Sequence, residues 1–265
     1  MKTCIFCNAD LAIVGKAKEH IIPRWLQEEW KLSNQIIEPT HFSEKGEVQS
    51  QRRHTLDSFL SGSVCCVCNN GWMSKLETET KDLILLLASG KRRILELEDN
   101  EALLLARWTV KTAFSLHTAA NWRRVIPENH FSKLDKADYR LPPNVFVVGH
   151  TYKGSKKFSW AQSTTWPIFA RGHEVTEPEL QTIKESGYKI SLRLGGLFLM
   201  VFYNPIESET VRTCLWKYRH VPLYPRWSHP VAWQMQDLAW PSNVEARFQV
   251  FHQELSLSID GVGEK

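Results

Sequence analysis

Two cysteine pairs, Cys4-x-x-Cys7 and Cys65-x-x-Cys68, bracket a Glu19-His20 dyad, and Cys68 runs directly into Asn69. Two thiolates spaced by two residues can grip one metal ion from a tight turn, and two such knuckles complete a closed tetrahedral shell. The pattern predicts a structural zinc ion on Cys4, Cys7, Cys65 and Cys68. With 57 residues between Cys7 and Cys65, a substantial segment lies inside the loop. A disulfide framework needs an oxidising compartment. Met1-Lys2-Thr3-Cys4 carries no apolar signal region, so a cytoplasmic setting is expected. A redox CxxC needs only one pair. Cys66 and Cys214 are left over, and both read as ordinary reduced, buried cysteines.

Glu19, His20 and Asn69 offer a carboxylate, an imidazole and an amide next to this clip. Hydrolysis at such a centre needs a water activated near neutral pH and relief of the charge growing on the group attacked. Histidine, with an ordinary pKa near 6.5, suits the first task. A hard divalent cation held by one carboxylate and one amide oxygen suits the second. Neighbours on a regular strand point to opposite faces. Glu19 can bind metal while His20 addresses water only if the strand ends, twists or bulges there, and Pro23 just beyond agrees with such an ending. The plainer alternative makes Glu19 a surface charge and His20 a hydrogen-bonded structural histidine.

Lys18-Glu19-His20-Ile21-Ile22-Pro23, followed by Cys65-x-x-Cys68-Asn69, resembles the HNH (ββα-metal) endonuclease family in its zinc-knuckle variant. The match covers about residues 1–80. The resemblance implies that His20 is the general base, Glu19 a metal ligand and Asn69 a second ligand at the start of a helix. It implies Mg²⁺ or Mn²⁺ as the catalytic ion beside the structural Zn²⁺. Asn70-Gly71-Trp72-Met73-Ser74-Lys75-Leu76-Glu77 is similar to a subgroup of uncharacterised HNH proteins. Many HNH helices carry a histidine one turn after the first ligand, where this chain has Met73. The ion is then expected to rest on Glu19 and Asn69 with water or Ser74. Glu77, two turns along and about 12 Å away, is not expected to ligate. For the family's central asparagine, Asn34, His41 and His54 are the polar candidates.

The elements that must position these groups follow from length and patterning. At 265 residues the chain has ample length for a core, as one large domain or two. No apolar run approaches a membrane span, Leu83–Ala88 and Leu197–Tyr203 being core-sized. Residues 1–100 hold 13 Lys/Arg against 14 Asp/Glu, and residues 101–265 hold 20 against 15. The stretch 103–160 alone has ten basic residues and three acidic ones, so a polyanion footprint is expected there. Arg123, Arg124, Lys156 and Lys157 are its candidate phosphate contacts, each pair being equally at home as solvated loop charge. Eleven tryptophans could offer stacking platforms, yet most, Trp72, Trp108 and Trp160 among them, sit at core-like periodic positions.

Ala12–Val14 and Ala17–His20 read as short strands joined through Gly15-Lys16, and Arg24–Lys31 as an amphipathic helix begun at Pro23. Residues 32–62 read as polar and irregular, with hairpin potential at Glu44-Lys45-Gly46-Glu47. A helix capped by Asn69 or Asn70 carries Trp72, Leu76, Leu83 and Leu87 and ends at Gly90. Helices follow over Glu101–Ala120 and Glu128–Lys136. From Pro143 the period changes to two. Val145–Tyr152, Phe158–Phe169, Tyr188–Leu194, Leu197–Tyr203 and Val211–Tyr218 read as strands, with Gly195-Gly196 a hairpin turn. Prolines and tryptophans beyond Pro222 predict an irregular tail over the sheet.

The expectation is an α+β protein: a zinc-clipped ββα-metal module over residues 1–95 and a helix-plus-antiparallel-sheet accessory domain over 96–265 that positions substrate. The expected function is divalent-metal-dependent endonuclease hydrolysis of phosphodiester bonds in DNA, with nucleic acid as partner and no membrane. The alternative is a non-catalytic zinc-stabilised nucleic-acid-binding or protein-interaction module. An RNA-directed nuclease is the third option, because the same centre could cut either polymer.

Overall fold

A computed structural model of the chain describes residues 2–42, 47–120, 125–134, 141–151, 158–163, 176–205, 221–226 and 253–259. The first element is a helical turn, α1 (Leu11–Val14), capped by the Asp10 side chain, which accepts from Ala12 N, and closed at Gly15 with φ +77°. The strand expected over Ala12–Val14 is therefore absent. The acidic cap and the positive-φ glycine outweigh the β-branched Ile13 and Val14. The second expected strand is cut to β1 (Glu19–His20). Pro23 then starts α2 (Arg24–Glu29), which stops short of Lys31, a residue at φ +55°.

Residues 32–62 are more regular than their composition suggests. They form β2 (Ile36–Ile37), β3 (Thr40–Phe42), β4 (Val48–Gln51), β5 (His54–Thr55) and β6 (Leu60–Ser61). β3 and β4 pair antiparallel, as the hairpin signal between them predicts. After β6 the chain is helical earlier than expected. Cys65 caps α3 (Cys66–Cys68) by accepting from Cys68 N, and a wide π turn over Asn69–Met73 leads into α4 (Ser74–Ala88). Gly90, at φ +72°, lies just past its end. A 3₁₀ turn at Ile94–Glu96 precedes α5 (Asp99–Ala119), which opens with a Glu98/Glu101 capping box, and α6 (Glu128–Phe131) is shorter than predicted.

The remaining elements are β7 (Val145–Thr151), β8 (Phe158–Ser163), α7 (Glu177–Ser186), β9 (Tyr188–Leu194), β10 (Leu197–Tyr203), β11 (Val221–Tyr224) and β12 (Gln253–Ile259). Helix α7 has no counterpart in the sequence expectation, although Thr176 and Glu179 form a capping box with Pro178 in the first turn. β9 and β10 match their predicted bounds. Gly195 takes φ +58° between them, and Gly196 N donates to Ala88 O at 2.7 Å, tying the hairpin to the end of α4. The strand expected over residues 211–218 lies outside the described residues.

The fold is α+β. Its main sheet runs β11-β7-β10-β9-β8, extended by β12, β3 and β4, with every neighbouring pair antiparallel. Helix α5 lies against this sheet on one side and against α4 and β6 on the other. That placement buries it almost all round, including Trp108 and Lys111. One continuous core runs from Cys4 through α5 to Leu223. Phe59, stacked on Trp160 at 5.4 Å, joins the segment between the two cysteine pairs to β8. The described tryptophans Trp25, Trp30, Trp72, Trp108 and Trp160 all belong to this core or pack against it.

Candidate metal centre and active site

Cys4, Cys7, Cys65 and Cys68 place their sulfurs within 4.8 Å of one another, with Cys7 Sγ 3.6 Å from Cys65 Sγ. Four sulfurs bound at 2.3 Å to a tetrahedral zinc ion sit about 3.8 Å apart, so this donor set fits a metal ion such as zinc. The knuckle backbone prepares the ligands: Cys65 N donates to Cys4 Sγ at 3.4 Å and Cys68 N to Cys65 Sγ at 3.3 Å. A hydrogen bond from the Cys68 thiol, and N–H groups of Cys7, Cys65 and Phe6 acting against burial, hold the Cys4 thiol far below its usual range, at about 4. Cys68 is pushed up, by its bond to Cys4 first and by burial second. A metal that requires thiolates displaces that proton. Phe6, at the tip of the first knuckle, meets Trp72 edge-on at 5.3 Å and Phe131 at 6.1 Å, which fixes the clip to the core.

Glu19 and His20 lie on β1, paired with Ser61 and Leu60 of β6. β1 ends at His20, and the chain bends at Ile21 and Ile22 directly after it. Glu19 turns inward, where its Oε1 accepts from Lys111 Nζ at 2.8 Å. Lys111, on α5, has no solvent exposure and also bonds Glu77 of α4 through Oε1. Burial alone would lower the pKa of this ammonium, yet the two carboxylates outweigh it and hold the pKa raised. Glu77, expected to be remote from the metal ligands, is thus linked to Glu19 through a lysine. Nothing in the sequence reading assigns Lys111 a role. Its signal is a lone cation in the apolar run Val110-Lys111-Thr112-Ala113-Phe114.

His20 faces the rim. Its Nε2 lies 3.2 Å from Asp57 Oδ1 and 3.3 Å from Arg24 Nε. One nitrogen cannot serve both at once: protonated it donates to Asp57, and unprotonated it accepts from Arg24. The imidazole is therefore placed between a group suited to its neutral form and one suited to its cation. Asp57 carries no motif in the sequence. Of the residues considered for a companion to His20, Asn34 is exposed, His41 is buried in β3, and the His54 ring lies 5.7 Å from Phe59. Burial first, then Arg52, lowers the His41 pKa.

Asn69 opens the π turn. Its Nδ2 donates to Asn70 Oδ1 at 2.9 Å, while its Oδ1 is buried without a hydrogen-bond partner. Such a stranded amide oxygen has the chemistry of a ligand for a hard ion. Among the described residues no hydrogen bond joins Asn69 to Glu19 or His20. Met73 is buried in the core and Ser74 is exposed at the start of α4. Arg123, Arg124, Lys156 and Lys157 lie outside the described residues. No described helix is long and apolar enough to cross a membrane. Comparison with protein-family models, curated proteins and solved structures finds no match to this chain.

Proposed function

We propose that the chain is a divalent-metal-dependent endonuclease of the HNH (ββα-metal) kind, cleaving phosphodiester bonds in DNA. The observation that carries the proposal is the position of His20 on the rim between Arg24 and Asp57, on the strand pair that leads into the zinc clip and Asn69. The antiparallel pair β1–β6, followed through α3 and the π turn by α4, supports this reading. Glu19 and Asn69 would hold Mg²⁺ or Mn²⁺, which when bound would supply Lewis-acid stabilisation of phosphate charge. His20, partly exposed, takes the proton of the attacking water. Asp57 then stabilises the imidazolium, and Arg24 is free to face the phosphate once Nε2 is protonated. Zinc keeps the two knuckles closed and takes no part in the chemistry.

One observation favours a second reading. The engagement of Glu19 Oε1 by a fully buried lysine is what a structural carboxylate would show. On that reading the chain is a non-catalytic, zinc-stabilised nucleic-acid-binding module. Incubating supercoiled plasmid with the protein, with EDTA or with added Mg²⁺ or Mn²⁺, separates the two. Nicked or linear product that needs the added ion is expected; intact plasmid in every lane overturns the nuclease proposal.

A further inference from the structure

We infer that the outer face of the zinc clip, carrying Lys2, Lys16 and Lys18 around exposed Ile13 and Val67, is the surface on which a DNA duplex lies as it enters the His20 site. The inference rests on the nucleic-acid reading above and names the contact surface for it.

Three observations place these residues together. Cys66 N donates to Gly15 O at 3.0 Å, and a Cβ at Gly15 would stand 3.4 Å from Cys66 Sγ, so α1 abuts the second knuckle. Ile13 and Val67 lie two residues and one residue from that junction, and they are 82% and 67% exposed. Leu11 N donates to Lys2 O at 3.0 Å, and Lys16 pairs with Cys65, which brings both lysines to the same end of the molecule.

The chain leaving this junction alternates. Lys16 and Lys18 are exposed, whereas Ala17 and Glu19 are buried. Extended backbone sends Lys16 and Lys18 to one face and Glu19 to the other. A basic edge thus runs along the outside of the strand that carries His20. Lysines at this spacing suit successive phosphates, and two unpartnered aliphatic side chains among them suit sugars and base edges in a groove. A protein partner would bring acidic side chains to the lysines but would leave the continuity with His20 without purpose.

Fluorescence anisotropy of a labelled duplex, with His20→Ala in the background to prevent cleavage, tests this. Lys16, Lys18, Ile13 and Val67 are exposed, and zinc content checks that the clip survives. Lys16→Glu with Lys18→Glu should weaken binding at least tenfold at low salt and reduce the slope of log K against log salt by about two. Ile13→Ser with Val67→Ser should cost about tenfold with the slope unchanged. Wild-type affinity and slope in both zinc-loaded variants would overturn the inference, as would tighter binding to an RNA of the same length. A wild-type protein that binds duplex through these lysines yet cuts no plasmid leaves the surface standing and removes only the nuclease proposal.

Discussion

Lys111 Nζ stands 2.8 Å from Glu19 Oε1 across 92 residues of sequence, so the carboxylate beside His20 is held by the central helix of the fold. Glu77 shares the same ammonium. The orientation of β1 therefore depends on α5, and residues on both sides of position 95 act on one carboxylate. A buried cation of this kind is costly to strand but is well satisfied when two carboxylates surround it.

Removing the cation alone should be severe. Lys111→Ala leaves Glu19 and Glu77 facing each other in a largely dry site, with an expected loss of about 3–5 kcal/mol. Neutralising the whole cluster, Lys111→Met with Glu19→Gln and Glu77→Gln, should recover most of it, because no charge is then left buried. Urea unfolding of the two proteins decides. Equal stability for Lys111→Ala and wild type would show that the cluster carries no structural load.

The clip gives the second prediction. Purified protein should contain about one zinc per chain, because four thiolates complete one shell. Cys65→Ser should lose the ion and lower the melting temperature, since the long loop is then held without its closure. Cys66→Ser keeps all four ligands and should retain the metal. Full zinc content in Cys65→Ser, measured by atomic absorption, would exclude the four-cysteine site.

The clip was legible in the sequence because ligand spacing is local: each knuckle is four residues, and Cys4 and Cys65 need only the fold to bring them together. The hairpin β9–β10 was legible for the same reason, from two strand-like runs around Gly195-Gly196. The Glu19–Lys111–Glu77 cluster was not, since a lysine on an apolar helix face has no motif, and only tertiary packing selects its partners. Asp57 was hidden likewise, because it reaches His20 from a turn without recognisable spacing. The helix that stands in place of the expected strand at Ala12–Val14 shows capping overriding side-chain preference over four residues.

A pH dependence follows from His130. Its Nδ1 lies 3.1 Å from the Tyr188 hydroxyl, and burial first, then Lys133, lowers its pKa to about 4. The unfolded chain protonates this histidine near 6.5, so below that pH the unfolded state binds the extra proton. The folded state therefore loses stability as pH falls from about 6.5, and the loss is complete below about 4. His130→Gln should flatten that part of the curve. Urea midpoints between pH 7 and 4 would show it, and identical slopes for the two proteins would remove His130 as the cause.

The last prediction separates catalysis from structure at His20. His20→Ala removes the proposed base while leaving the zinc ligands and the Glu19–Lys111 pair untouched. Cleavage should fall roughly 10²–10⁴-fold, with zinc content and duplex affinity near wild type. Asp57→Asn keeps the imidazole but weakens the partner of its cation, so a smaller loss of about tenfold is expected. Asn69→Ala should act through the divalent ion, so raising Mg²⁺ or Mn²⁺ should recover part of its activity, whereas no concentration should rescue His20→Ala. Glu19→Gln should combine a metal defect with lost stability, because it also weakens the hold on Lys111. Measuring cleavage rate against Mn²⁺ concentration beside urea unfolding resolves the pattern. If His20→Ala instead unfolds readily and no variant shows ion-dependent cleavage to lose, His20 is a structural histidine, and the binding-module reading takes the place of the nuclease.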